Sequence, residues 1–381
     1  MHHKIMITTF FLLLMLIGNA NAQVGGSCST CHVMHNSQGG GTLVHASTAG
    51  SAAGWNGSNQ MGGGSDTTPQ QYLAISNCVG CHTSSTSETI IDLGDGTRIP
   101  IVYNTSVPTK PLAGGNFYYV VNSGDSYGHN VRNISTADGT LSYGPGQMVG
   151  CASSCHTSLT LTDAATYVLM DGTHKNGCQG CHQSVKHHGL DTAGQPVDED
   201  GGWYRFLSAP SGHIGYGGGV HGIEDPDWEQ NPTSTDHNVY YGSDDGADLQ
   251  EDPQSIGRFC AGCHYAFHSP GEAFSLVDNG GGSDPWVRHP ANAVIPAAGE
   301  YTSYTTYDPL VPVGRPEKAT LAAVAMDEVR PGTDRVICVS CHRAHGSPYP
   351  DMLRWDYIND CSAGVPNADC GCFICHSTKD D

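Results

Sequence analysis

Apolar residues in this 381-residue chain come in short, isolated runs. The longest opens the sequence, where Lys4 precedes the stretch Ile5–Gly18, which closes on Ala20-Asn21-Ala22. A cation, a short apolar core and then small residues predict a cleaved export signal over residues 1–22. The run is short for a membrane span, and no second one follows. Further along, clustered β-branched and aromatic residues predict strands at Arg98–Tyr103 and Asn116–Val121, with Pro and Gly between them suggesting a small hairpin. Thr162–Met170 has a helical spacing, whereas residues 25–77 are rich in Gly, Ser, Thr and Asn and predict coil.

Side chains alone would struggle to build one core from this pattern, because 50 residues are glycine and aliphatic runs are scarce. A repeated motif points to what fills the gap. Cys-x-x-Cys-His occurs at Cys28–His32, Cys78–His82, Cys178–His182, Cys260–His264, Cys338–His342 and Cys372–His376. This is the attachment signature of c-type haem, in which two thiols add across the haem vinyl groups and the adjacent histidine becomes an axial iron ligand. The second thiols of these six sites are Cys31, Cys81, Cys181, Cys263, Cys341 and Cys375, and the proximal ligands are His32, His82, His182, His264, His342 and His376. A seventh site, Cys151, Cys155 and His156, has three residues between the thiols, which keeps the chemistry and stretches the loop. Its alternatives are a disulfide or two free thiols.

Seven covalent haems would supply most of the apolar surface that must leave water. The expected fold is mostly coil with short α-helices and a few short β-hairpins, wrapped around a haem stack as one unit over residues 23–381. Zinc is the competing reading of paired cysteines, but a histidine follows the second cysteine at all seven places. Of 16 cysteines, 14 belong to the motifs, and the remaining Cys361 and Cys370 are expected to form a disulfide in an oxidising compartment.

Charge narrows the partners. With 16 Lys and Arg against 37 Asp and Glu, the formal net charge is −21, which disfavours nucleic acid and anionic lipid and favours cationic protein patches or mineral surfaces. Acidic residues cluster between Asp191 and Asp252, at 198–200, 224–227 and 244–245. Calcium is one occupant that clustered carboxylates suit, and a solvated acidic loop is the commoner outcome.

Histidine is in surplus. Of 21, two lie in the signal and seven in the motifs, leaving 12 for the distal faces of the haems. The preferred distal set is His35, His129, His174, His188, His237, His268, His289 and His345, one more than seven haems need. His45, His187, His213 and His221 read as surface or loop residues. Methionine is the competing sixth ligand and would raise the potential, but the histidine surplus makes it unnecessary. At Cys28–His35, Cys260–His268 and Cys338–His345 a second histidine follows the motif by three or four positions, an internal repeat. Pointing off the local turn, it is placed for the iron of a neighbouring haem.

The segments Cys28–Gly40, Gly128-His129-Asn130, Val287–Asn292 and Cys338–His345 resemble motifs of the filament-forming outer-surface multihaem c-type cytochromes of metal-reducing bacteria. The resemblance covers motif-centred islands and implies a continuous haem stack, long-range extracellular electron transfer and self-polymerisation. It further implies that His35 caps the haem of Cys338, Cys341 and His342 in the next protomer. Other multihaem cytochromes and metal oxides would then be the partners, at the outer surface or beyond it. No catalytic residue is expected, since fully ligated iron has no open position. The alternatives are a multihaem reductase of a small oxyanion, which needs one vacant distal site, and a soluble periplasmic electron shuttle.

Overall fold

Wherever the motif is described it forms the same single helical turn. The backbone N–H of His82, His182, His264, His342 and His376 each donates to the carbonyl of the first motif cysteine, four residues back, at 2.8–3.1 Å. Two thiols and an imidazole thereby leave one turn together, as the 3.6-residue period requires. The computed structural model describes residues 37–38, 41–42, 78–94, 97–131, 134–139, 159, 177–182, 185, 187, 202, 204–207, 219–243, 254–261, 264, 289, 291–317, 321 and 324–379. The predicted export signal, the helical Thr162–Met170 and the motifs at Cys28 and Cys151 lie outside them.

The helices are short: α1 Val79–His82, α2 Tyr118–Ser123, α3 Cys178–Cys181, α4 Ile256–Ala261, α5 Cys338–Cys341, α6 Tyr357–Asp360 and α7 Gly371–Cys375. None of the described helices is long and apolar enough to cross a membrane. The strands are also short. β1 (Ser37–Gln38) pairs with β2 (Gly41–Thr42), β3 (Thr83–Ser84) runs parallel to β6 (Tyr103–Asn104), and β4 (Ile90–Asp92) is antiparallel to β5 (Arg98–Pro100). Mostly coil, with a few turns and ribbons, is the fold class the composition implied.

Two expectations are corrected. The hairpin forms between β4 and β5, so Arg98–Tyr103 pairs as strands with Thr83–Asp92 and meets Asn116–Val121 through the bond from Phe117 N–H to Val102 O at 2.9 Å, not as a strand pair. Residues 118–123 are helix α2. Asn116 Oδ1 accepts from the N–H of Tyr118 at 2.9 Å, Gly124 at φ 125° stops the turn, and Tyr119 and Val120 are buried. β-propensity is a weak preference that such local bonds and burial override. The acidic middle is likewise no solvated loop where it is described. It supplies β7 (Gly222–Ile223) and β8 (Val239–Tyr241), which form a three-stranded sheet with β9 (Gly314–Arg315).

Core residues gather in separate small clusters, several of which touch a motif. Ile91, Ile99 and Ile101 pack on Cys81. Val79, Tyr103, Phe117, Val120, Val131 and Ile134 pack on Cys178. Tyr204, Val220, Tyr240, Ile256 and Ile337 pack on Val339, and Ile295, Tyr304, Tyr307, Val313 and Val329 pack on Ile374 and Cys375. Burying one such aliphatic side chain contributes about 1.5–3 kcal/mol, so each cluster can anchor one turn but not a domain. Buried ion pairs link Arg205 to Glu224 at 2.8 Å and Arg315 to Asp334, and the partly exposed Arg330 reaches Asp334 at 2.6 Å and Glu317 at 2.7 Å.

The 225–231 loop ties the first half of the described chain to the second. Trp228 O accepts from the Ala113 N–H at 2.8 Å, Pro226 O from Arg98 at 2.9 Å, and Gln230 donates to Thr89 at 2.9 Å. Inside it, burial and the adjoining Asp227 carboxylate push Asp225 up to about 8, while its Oδ2 accepts from the Glu229 N–H at 2.6 Å. Because this folded value lies above the unfolded one, the contribution of Asp225 to stability is full below about pH 4 and is lost as pH rises through about 8. Asp225→Asn, which keeps a donor toward Asp227, is expected to lessen the fall in urea midpoint between pH 6 and pH 9. An unchanged fall would exclude this group as its source.

Candidate haem centres

Four of the five described motif turns deliver their histidine against a polar group of the chain. His82 Nδ1 meets Pro100 O at 2.7 Å, His182 Nδ1 meets Phe206 O at 2.5 Å, and His342 Nδ1 meets Asp351 O at 2.7 Å. His376 Nδ1 meets Glu300 Oε1 at 3.1 Å, and His129, which belongs to no motif, meets Ala344 O at 2.7 Å. A carbonyl or carboxylate oxygen accepts, so Nδ1 is the donor and Nε2 keeps its lone pair. Fixing one nitrogen to the chain and freeing the other is what an iron-bound imidazole requires. Burial pushes His82 down to about 4 and His345 to about 3, and it also lowers His129 and His182. All four are therefore neutral, the ligating form, near pH 7.

The rings come in pairs. Ring centres lie 6.2 Å apart in His82 and His187, 5.9 Å in His182 and His345, 6.0 Å in His129 and His264, and 6.2 Å in His289 and His376. A metal held between two imidazoles by bonds of about 2 Å each places the ring centres roughly 6 Å apart. Each pair joins one motif histidine to one other histidine. The donor set and its spacing fit c-type haem.

The pairs are also close to one another. The Cys78 and Cys178 thiols, from two different motifs, share a hydrogen bond that holds Cys78 at about 7 and pushes Cys178 up. Cys341 is pushed to about 12 by burial and by the neighbouring Cys372 and Cys375 thiols of the last motif. Phe206 stands edge-on to His82, His187 and His182 at 6.2, 6.2 and 6.5 Å. His345 is set by a backbone crossing, where its N–H donates to Gly114 O at 2.6 Å. Beside it, a Cβ on Gly115 would come within 1.9 Å of Gly346 O. Only glycine lets the two strands of chain approach so closely.

Comparison with known proteins agrees with this chemistry. A family pattern described as a doubled CXXCH motif matches residues 330–381. C-type cytochrome OmcS of Geobacter sulfurreducens is 24% identical, over 86% of this chain and 78% of that protein. Two solved structures from that organism are also similar, an outer membrane cytochrome S filament and the OmcS nanowires. They have TM-scores of 0.43 and 0.42, identities of 21% and 19%, and coverage of 91% and 92% of this chain and 88% of theirs. In its motifs and its paired imidazoles this chain resembles the multihaem c-type cytochromes, OmcS among them.

Among the distal candidates, His129, His289 and His345 each face a motif histidine, and His35, His174, His188 and His268 lie outside the described residues. His187, ranked below its neighbour His188 on sequence, is the residue opposite His82. Adjacent histidines in a loop give no periodicity to choose between them. His237 is a correction. Its Nδ1 lies 2.7 Å from Asn238 O and its Nε2 3.0 Å from Met326 O, and the buried ring stacks on Tyr307 at 3.5 Å. Both nitrogens lie against carbonyl oxygens, to one of which a neutral ring donates, and the ring packs flat on Tyr307.

Cys361 and Cys370 form a disulfide with Cα atoms 5.2 Å apart. The carboxylates at 224–227 face the protein's own donors, Glu224 holding Arg205, and Asp227 holding the Gln230 N–H and the Asn231 amide. Among the described residues the one trio of metal-ligating side chains within 4.8 Å is Cys361, Cys370 and Cys372, two of them in the disulfide. The calcium reading gains no support there.

Removing a distal imidazole should leave one iron five-coordinate. His129→Ala, His187→Ala and His289→Ala are each expected to add a high-spin signal equal to one haem to the oxidised spectrum, with the number of attached haems unchanged. His237→Asn is expected to leave the spectrum low-spin. A high-spin haem in His237→Asn would return that residue to the ligand set.

Proposed function

We propose that this cytochrome is an electron conduit of the outer surface or the extracellular space, carrying seven c-type haems with two histidines on each iron. The observation that supports this reading most is the set of four imidazole pairs at 5.9–6.2 Å. Bound c-type haem supplies reversible one-electron chemistry. The chain's part is to orient and to exclude. Motif cysteines anchor each group, imidazoles close both axial positions, and aromatic residues such as Phe206 and Phe117, the latter stacked 4.7 Å from His345, keep water away from the row. An iron closed on both sides passes electrons and refuses small molecules, which favours electron transfer over reduction of an oxyanion.

The finer reading is self-polymerisation, with metal oxides and other multihaem cytochromes as redox partners. It draws on the likeness of Cys28–His35 to motifs of filament-forming relatives. On this reading the His35 side chain of one protomer reaches the His342 centre of the next, and the acidic surface suits a positively charged mineral.

Two measurements test these claims. Intact mass of the exported protein is expected to show seven haem increments, with six meaning that the Cys151–Cys155 site carries none. His35→Ala is expected to keep the same increments while abolishing filaments in negative-stain images, and filaments in that variant would sink the joint.

A further inference from the structure

Among the five candidate iron-ligating imidazoles with an Nδ1 partner given above, four face backbone carbonyls and one, His376, faces a carboxylate. The site around that carboxylate is built. Glu300 sits on the 3-10 turn Gly299–Ser303, the Thr378 hydroxyl donates to its Oε2 at 2.8 Å, and the Ser377 hydroxyl donates to its backbone carbonyl at 2.7 Å. Lys379 Nζ lies 3.8 Å from Oε2, and the Tyr301 ring stands edge-on to His376 at 5.1 Å. Two residues immediately after the ligand thus hold Glu300 against its ring, Thr378 through the carboxylate and Ser377 through the backbone carbonyl.

A carbonyl offers a dipole, whereas a carboxylate offers a full charge. Drawing the Nδ1 proton more strongly raises the donor strength of Nε2, and both this and the added negative charge favour oxidised over reduced iron. We propose that Glu300 is a positioning and tuning residue that lowers the reduction potential of the haem attached at Cys372 and Cys375, below what a carbonyl partner would give. A glutamate carboxyl is ionised at neutral pH, so the charge is present. The proposal rests on the reading of His376 as an axial ligand.

Optical redox titration of the purified holoprotein tests it, together with mass spectrometry of the peptide carrying Cys372 and Cys375. Glu300→Gln is expected to move a component worth one haem to higher potential and leave the rest of the curve in place. Lys379→Met, at a largely exposed position, removes the cation beside the carboxylate and is expected to move the same component the other way. Thr378→Val keeps the carboxylate but removes one bond that holds it, and is expected to move the same component upward by clearly less than Glu300→Gln does. Superimposable curves for Glu300→Gln and wild type, with haem on the peptide in both, would overturn the proposal and leave the ligand reading standing. A Thr378→Val shift as large as that of Glu300→Gln would make Glu300 a clamp and overturn it too. A wild-type peptide without haem would overturn both readings together.

Discussion

Much of the described structure serves one constraint, met at His82, His129, His182 and His376: an imidazole has one nitrogen tied to the chain and its ring set about 6 Å from a second imidazole. Local elements of the fold serve it. The β4–β5 hairpin exists where Pro100 O must reach His82, and the 3-10 turn Pro350–Met352 brings Asp351 O to His342. The glycine crossing at Gly115 and Gly346 fixes the backbone on which His345 stands, with its ring 5.9 Å from His182. Secondary structure is sparse because these tasks need short turns at many points and no extended regular element.

Such a design changes how the chain is held together. Several small apolar clusters replace a single core, and each can stabilise the turn it touches while leaving the relative placement of turns undetermined. Buried ion pairs supply part of the missing order. Asp334, fully buried, accepts from both Arg315 and Arg330, while the pair of Arg330 with Glu317, through two bonds of 2.7 Å, is partly exposed and adds less. Breaking one partner of such a pair strands a buried charge and typically costs about 3–5 kcal/mol, so these contacts specify arrangement more than they add net stability.

What could be read from the sequence was whatever is local. The five-residue motif encodes its own helical turn, since thiols three apart and a histidine one further share a face, and every described copy shows the same backbone bond. The pairing of Cys361 with Cys370 was legible by elimination and by a short loop. Partnership between distant residues was not legible. Nothing local distinguishes His187 from His188, and nothing in the sequence shows that His237 lies flat on Tyr307 with carbonyls at both nitrogens. The strands of the acidic middle were hidden for the same reason: β8 finds its parallel neighbour β9 more than seventy residues away, and Glu224 is buried in an ion pair with Arg205.

The ring pairs are interleaved along the chain, and this has a consequence for both folding and function. His82 with His187, His129 with His264, and His182 with His345 span overlapping stretches, so no one pair can form in isolation from the path of the others. Contacts of such long sequence separation are slow to find, and haem attachment at the local cysteines holds each group near its site while the distant histidine is sought. The same interleaving brings centres together. A motif that closes its own turn with His342 and lends His345 to His182 binds two neighbouring centres through three residues of backbone, which fixes their separation more rigidly than packing between independent units could. Electron transfer between centres falls steeply with distance, so stitching adjacent sites with the shortest possible covalent link favours a conduit over a chain of loosely coupled stations.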